Sequence, residues 1–235
     1  MKKTVGIIFA DSMEYLPFKK SATEKGAVEK NFHGLNSIAY TIKRGENDLD
    51  IVAVECGIGK VNAASAAAFL IADRKADTIL NAGLSGAISK VKREDIVVGT
   101  SYMQCDLDLT AIGYKLAEKP DGEEYIHPAD ETLLALTKQI GSFHYGKLGT
   151  GDVFLSDREK KELYKNLFDL NAFDMETGAI ASVCRKNGVP FLSIRKISDD
   201  ADDASGEAYR EMNDRAEACL TEILEKLTEK ICETM

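Results

Sequence analysis

One apolar run, Pro190-Phe191-Leu192-Ser193-Ile194, narrows the folds open to this chain more than any other stretch. It continues through Arg195-Lys196-Ile197 and ends in Ser198-Asp199-Asp200-Ala201-Asp202, a hydroxyl followed by carboxylates. A run of that length opened by proline reads as a buried strand. Strands buried on both faces belong to sheets covered by helices on both sides. Open sheets of this kind place ligands beyond the carboxyl ends of their parallel strands. Asp199 stands at such an end and is the first candidate for chemistry. The alternative is that it caps a helix or turn.

The same pattern recurs along the chain. Residues 4–9 read as a strand, followed by a turn in which Asp11 or Ser12 caps a helix. Glu14 then falls in the first helical turn, as an acid at the strand end or as a partner of the helix dipole. Residues 37–43 and 50–55 read as strands joined by a polar turn. Cys56-Gly57-Ile58-Gly59-Lys60 precedes an alanine-rich helix over 61–72. This GxGK lacks the remainder of a phosphate loop, so backbone contact with a small ligand is the better reading. Residues 77–81 read as a strand running into Gly83 and Gly86, which predict a sharp turn and a close backbone approach.

Further on, 95–100 and 146–150 read as strands, 106–114 as an ordered surface loop and 128–140 as a helix. Lys119-Pro120-Asp121-Gly122 predicts a turn. Ser156 or Asp157 caps a helix reaching about residue 168. Residues 172–181 pass from strand to helix, with Glu176 at the junction. The pattern over 206–232 predicts one long amphipathic helix with Ala216, Leu220, Ile223, Leu224, Leu227 and Ile231 on its apolar face. Glu14, Glu176 and Asp199 thus each follow an apolar strand where it turns. Acids at the same end of one sheet converge in space.

Composition excludes several classes. A net charge of −9 over 235 residues argues against a nucleic-acid surface or an anionic membrane. No stretch is long enough to span a membrane, and the short N-terminal apolar run, interrupted by Asp11 and Glu14, is not a secretory signal. Cys56, Cys105, Cys184, Cys219 and Cys232 lack metal-ligand spacing and read as reduced thiols of a cytoplasmic protein. His33, His127 and His144 form no zinc motif, so no metal site is expected. With no linker or repeat, residues 1–235 are expected to form one domain.

Several motifs occur together in a recognisable order. They are Gly6-Ile7-Ile8 with Glu14, Gly57-Ile58-Gly59-Lys60-Val61, Asn81-Ala82-Gly83, Gly151-Asp152-Val153-Phe154, Asp174-Met175-Glu176-Thr177 and Ile194 through Asp199. In these the chain resembles the bacterial 5′-methylthioadenosine/S-adenosylhomocysteine nucleosidases of the purine nucleoside phosphorylase superfamily. The resemblance implies an α/β fold, a three-layer α/β/α sandwich around a central twisted mixed sheet. It implies hydrolysis of the N-glycosidic bond of an adenine thionucleoside, without a cofactor. It gives Glu14 the attacking water, Asp199 the N7 of the leaving adenine with Ser198 orienting it, and Glu176 the ribose hydroxyls with Met175 against the sugar. Phe154 would stack on the purine and the Leu155 backbone would read its edge. Ile58, Val153 and Tyr209 would wall the pocket, and Gly83 would lie close to the ligand. It also implies a homodimer, in which a loop matching Ile112, Tyr114 and Pro120 closes the partner's site.

The division fits the chemistry. Glycosidic cleavage passes through an oxocarbenium-like state, which a carboxylate at the sugar stabilises and an acid at the base assists. The chain departs from the family pattern at Leu84, where a hydroxyl residue is usual, at Asp11, where methionine is usual, and at Asp174 and Cys105. A phosphate-dependent phosphorylase and a non-catalytic nucleoside-binding protein are the competing readings. The turn after the first strand carries acids and no arginine, which suits water better than phosphate. A related substrate such as 5′-deoxyadenosine or aminodeoxyfutalosine also fits.

Overall fold

The strand β1 (Lys2–Phe9) lies between two parallel neighbours, β4 (Asn47–Glu55) and β5 (Thr78–Ala87). Its Val5, Ile7, Ile8 and Phe9 are buried, as apolar residues on both faces of a covered sheet require. The structure is a computed structural model describing residues 1–120, 125–203, 205–211 and 215–235, without the side chains at 210 and 215–217. Beyond β4 the sheet continues antiparallel through β3 (Leu35–Arg44) to β2 (Val28–Phe32). Beyond β5 it curls. The strand β10 (Phe191–Asp199) pairs parallel with β5 and antiparallel with β6 (Ile96–Gln104). From β6, pairing runs through β8 (His144–Thr150) and β9 (Ala172–Asp174) back to the end of β5. These strands therefore close a ring, which hides edges that would otherwise be unpaired. The short β7 (Ile126–Pro128) borders β6.

Helices cover the sheet in two groups. The helices α1 (Ser12–Glu24) and α3 (Glu131–Ile140) pack on α7 (Arg215–Glu233), and α2 (Lys60–Ala72) packs on α5 (Thr177–Asn187). Ala63, Ala66 and Ala67 of α2 are fully buried, and their small side chains let the helix approach β1 closely. The architecture is the expected three-layer α/β/α arrangement around a mixed sheet. Of the expected capping residues, Asp11 accepts from the Glu14 amide and Asp157 from Lys160, and the structure adds Asp130, which accepts from Leu133. Asp157 opens α4 (Arg158–Phe168).

Three local expectations are corrected, and one strand is new. The strand β5 does not turn at Gly83; it runs on to Ala87, held by β10 along its length. The helix expected from residue 128 starts at Glu131, because residues 126–128 pair with β6 instead. The long C-terminal helix is divided into α6 (Ser205–Arg210) and α7. The strand β2 went unforeseen: its Val-Glu-Lys-Asn-Phe is exposed at the sheet edge and carries no alternation to read. Asp121 and Gly122 of the expected turn lie outside the described residues.

Candidate active site

At the carboxyl ends of β1, β5 and β10 a cavity of about 440 Å³ opens, a size suited to a small molecule. Glu14, Glu176 and Asp199 all line it, and each is more than nine-tenths buried. Glu14 arrives on the first turn of α1. Its Oε2 accepts from the Ala10 amide at 2.9 Å and its Oε1 from the Leu84 amide at 2.8 Å. Burial pushes its carboxyl up to about 8, against the pull of the Arg195 guanidinium, with Asp11 and Glu176 adding to the rise. Glu176 sits where β9 turns into α5. Its Oε1 accepts from the Gly59 amide at 3.0 Å. Burial raises this carboxyl too, opposed by Arg195 and reinforced by Asp174.

Asp199 owes its position to a break in pairing. The register between β10 and β5 slips between Ile197 and Asp199, so that Asp199 faces Gly86. A bulge of this kind re-aims a side chain at a strand end. Asp199 Oδ2 accepts from Ser198 Oγ at 2.6 Å and Oδ1 from the Ala201 amide at 2.8 Å. A Cβ at Gly86 would lie 2.9 Å from Asp199 Oδ1, so glycine makes room for the carboxylate.

Behind the acids lies Arg195, fully buried. Its Nη2 donates to Asn81 Oδ1 at 2.6 Å and Thr177 Oγ1 at 2.7 Å, and its Nη1 to the Leu84 carbonyl at 3.2 Å. Its guanidinium also lies 3.3 Å from Asp174 and 3.6 Å from Glu176. Burial works against its charge, but Asp174, Glu176 and Glu14 outweigh this and hold the guanidinium above its ordinary value. Asp174 in turn accepts from the Glu176 and Thr177 amides at 3.0 and 2.9 Å, fixing the turn that presents Met175 and Glu176. Sequence reasoning gave Arg195 no role. The readable signal is a cation inside a run buried on both faces, where arginine stays only if paired.

Of the other candidates, Ile58, Val153, Phe154, Leu155, Met175, Ser198 and Tyr209 line the cavity. The Phe154 and Tyr209 rings meet edge to face with centroids 5.5 Å apart. Gly83 does not line the cavity; it lies behind Glu14 and Arg195, where its missing side chain is needed. Ile112, Tyr114 and Pro120 do not line the cavity of their own chain, and Ile112 is exposed. Lys60 is no phosphate ligand: its Nζ pairs with Asp106 at 2.7 Å, and its amide donates to Asp152. Among the described residues no cluster of His, Cys, Asp and Glu could hold a metal ion. None of their helices is long and apolar enough to cross a membrane.

A mixed sheet curled into a ring, with an acid-lined cavity at its strand ends, is an architecture that comparison places in one class. The family model of the phosphorylase superfamily matches residues 4–229. A 5′-methylthioadenosine/S-adenosylhomocysteine nucleosidase of Exiguobacterium sp. (strain ATCC BAA-1283 / AT1b) is 31% identical over 236 residues, covering 97% of this chain and 98% of the relative. The chain belongs to this nucleosidase family, whose members are hydrolases of N-glycosidic bonds. Among solved structures, the Helicobacter pylori 5′-methylthioadenosine/S-adenosylhomocysteine nucleosidase with butyl-thio-DADMe-Immucillin-A superposes with a TM-score of 0.90 at 26% identity, covering 98% of this chain and 99% of that one. The native futalosine hydrolase of Helicobacter pylori strain 26695 superposes at 0.89 with 25% identity, covering 97% and 98%.

Proposed function

We propose that the chain hydrolyses the N-glycosidic bond of adenine nucleosides of the 5′-methylthioadenosine and S-adenosylhomocysteine type, releasing adenine and a 5-thioribose. The observation that carries this reading is the meeting of Glu14, Glu176 and Asp199 around one cavity. Glu14 takes the proton of the attacking water. A carboxyl raised to about 8 is well matched to that task near neutral pH. Glu176 accepts the ribose hydroxyls, and its carboxylate stabilises the positive charge that develops on the sugar. Asp199, oriented by Ser198, hydrogen-bonds or protonates N7 of the leaving adenine. The base lies against Phe154 and the Leu155 backbone, the sugar against Met175, with Ile58, Val153 and Tyr209 as walls. Residues 1–235 act as one domain.

The lining favours water over phosphate. Asp11, Glu14, Asp174, Glu176 and Asp199 all reach the cavity, and among the described residues no lysine or arginine lines it. A phosphate dianion there would meet repulsion without compensation. The superposition on the futalosine hydrolase supports a second reading, a nucleosidase for a related 5′-modified nucleoside such as aminodeoxyfutalosine. In the cell we place the enzyme in the cytoplasm, in methionine salvage, as a homodimer whose loop bearing Ile112, Tyr114 and Pro120 completes the partner's site. Release of the purine base, adenine from methylthioadenosine, adenosylhomocysteine and 5′-deoxyadenosine and hypoxanthine from inosine, with and without phosphate, tests the reaction. Release independent of phosphate is expected, and a strict phosphate requirement with a sugar 1-phosphate product would overturn it.

A further inference from the structure

Two cavity residues have polar groups to which the reaction just described gives no chemical task. Asp11 and Tyr209 both line the cavity, and the Tyr209 hydroxyl donates to Asp11 Oδ2 at 3.1 Å. The other oxygen, Oδ1, accepts from the Glu14 amide at 3.1 Å. Each carboxylate oxygen carries two lone pairs, so each keeps one acceptor position open. The tyrosine proton is engaged on Asp11, which leaves the phenolic oxygen as an acceptor as well. Among the described residues no lysine or arginine forms an ion pair with Asp11. The Asp11–Tyr209 pair therefore offers hydrogen-bond acceptors and negative charge, and neither side chain keeps a donor free.

With the base at Asp199 and Phe154 and the sugar between Glu14 and Glu176, the polar wall left for the 5′ arm is this pair. We propose that Asp11 and Tyr209 select adenine nucleosides whose 5′ arm donates hydrogen bonds, as a hydroxyl or an ammonium-bearing chain does, over those with a bare alkylthio arm. The inference rests on the nucleosidase reading for the orientation of the ligand. An arm without a donor would cover the carboxylate and leave its acceptors unsatisfied, whereas an ammonium arm forms a charge-assisted bond in a partly desolvated site. The charged atom need only come within ordinary hydrogen-bond distance of Asp11 Oδ2.

Uncleavable 9-deazaadenosine C-nucleosides carrying a 5′-hydroxyl, 5′-ammonium, 5′-hydrogen or 5′-methylthio group separate this from turnover. Calorimetric Kd values on the full chain are expected to favour the hydroxyl and ammonium arms by about tenfold or more. Asp11→Asn keeps an oxygen to cap α1 but removes the charge, and should cut the ammonium advantage to about threefold or less. Tyr209→Phe leaves Asp11 in place and should retain the ammonium preference. Binding of all four arms with equal affinity, tighter binding of the methylthio arm, or an unchanged ratio in Asp11→Asn each overturns the selection while leaving the nucleosidase reading intact. Failure of all four to bind removes the nucleoside reading, and the selection with it.

Discussion

Glu14 and Arg195 grip opposite ends of the same residue. The Leu84 amide donates to Glu14 Oε1 at 2.8 Å, and Arg195 Nη1 donates to the Leu84 carbonyl at 3.2 Å. One strand residue thus sets the spacing of an acid and a cation without using its own side chain. That is how the chain manages with leucine at this position: what fixes Glu14 is backbone. The arrangement depends on Gly83, because a Cβ there would lie 2.4 Å from Glu14 Oε1 and 2.6 Å from Arg195 Nη1.

Gly83→Ala is accordingly expected to displace Glu14 or Arg195. The backbone itself is ordinary strand, so the cost comes from the clash rather than from dihedral strain. Overpacking of this kind destabilises by about 1–3 kcal/mol. Adenine release should fall by about a hundredfold, since misplacing a catalytic group by an ångström has that effect. Thermal melting and kcat/KM on the same preparation check both parts; an alanine variant with unimpaired turnover would show that the site does not need this spacing.

The raised carboxyl of Glu14 makes a pH prediction of definite sign. If Glu14 must be ionised to accept a proton, kcat/KM rises with pH and levels above about 8. Asp11 contributes to the rise, so Asp11→Asn should move that limb toward lower pH. Stability runs the other way. A carboxyl whose pKa is higher folded than unfolded contributes stability that is fully present below about 4.5 and is lost as pH climbs through about 8. Glu14→Gln should abolish turnover and flatten this dependence, gaining up to a few kcal/mol relative to the native chain at pH 9. Urea denaturation at pH 5, 7 and 9 reads the difference, and parallel curves for the two proteins would contradict it.

The sequence made the acids legible because each lies where an apolar run stops, and strand ends of one sheet share a rim. The chain's apolar patterning likewise showed most of the sheet and helices. What it hid was what depends on three-dimensional closure. Gly83 and Gly86 look like turn residues, yet they are strand positions emptied to admit Glu14, Arg195 and Asp199. Arg195 reads as an interruption of a strand until Asn81, Thr177 and Asp174 are seen around it. The slip at Ser198 is invisible too, because a bulge changes pairing and leaves composition alone. The edge strand β2 escaped for the opposite reason, since exposure on both faces erases any period.

Arg195→Lys follows from that network. A lysine carries one point charge and three donors, and cannot reproduce the fork that serves Asn81, Thr177 and the Leu84 carbonyl together. Buried acceptors and part of the Asp174 and Glu176 charge would be left unmatched. Breaking a buried ion pair costs about 3–5 kcal/mol, and a substantial share of that is expected here despite the retained charge. A melting temperature within a degree or two of the native chain would mean that lysine satisfies the site.

The roles proposed for Ser198 and Asp199 separate by kinetics. Asp199→Asn keeps the oxygen that accepts from the Ala201 amide but removes the proton that N7 needs. Hydrolysis should fall by about 10²–10⁴, with KM for methylthioadenosine little changed, because the lost interaction belongs to the transition state. Ser198→Ala removes the hydroxyl that bonds Asp199 Oδ2 at 2.6 Å and reaches the Ser85 carbonyl at 3.3 Å, and leaves Oδ1 tethered. Its loss in kcat should therefore be smaller, about tenfold, the worth of one hydrogen bond to a charged group. In the double variant the two effects should not add, since a serine that acts by orienting the acid has nothing to orient once the acid is gone. Full additivity in that cycle would assign Ser198 a role of its own.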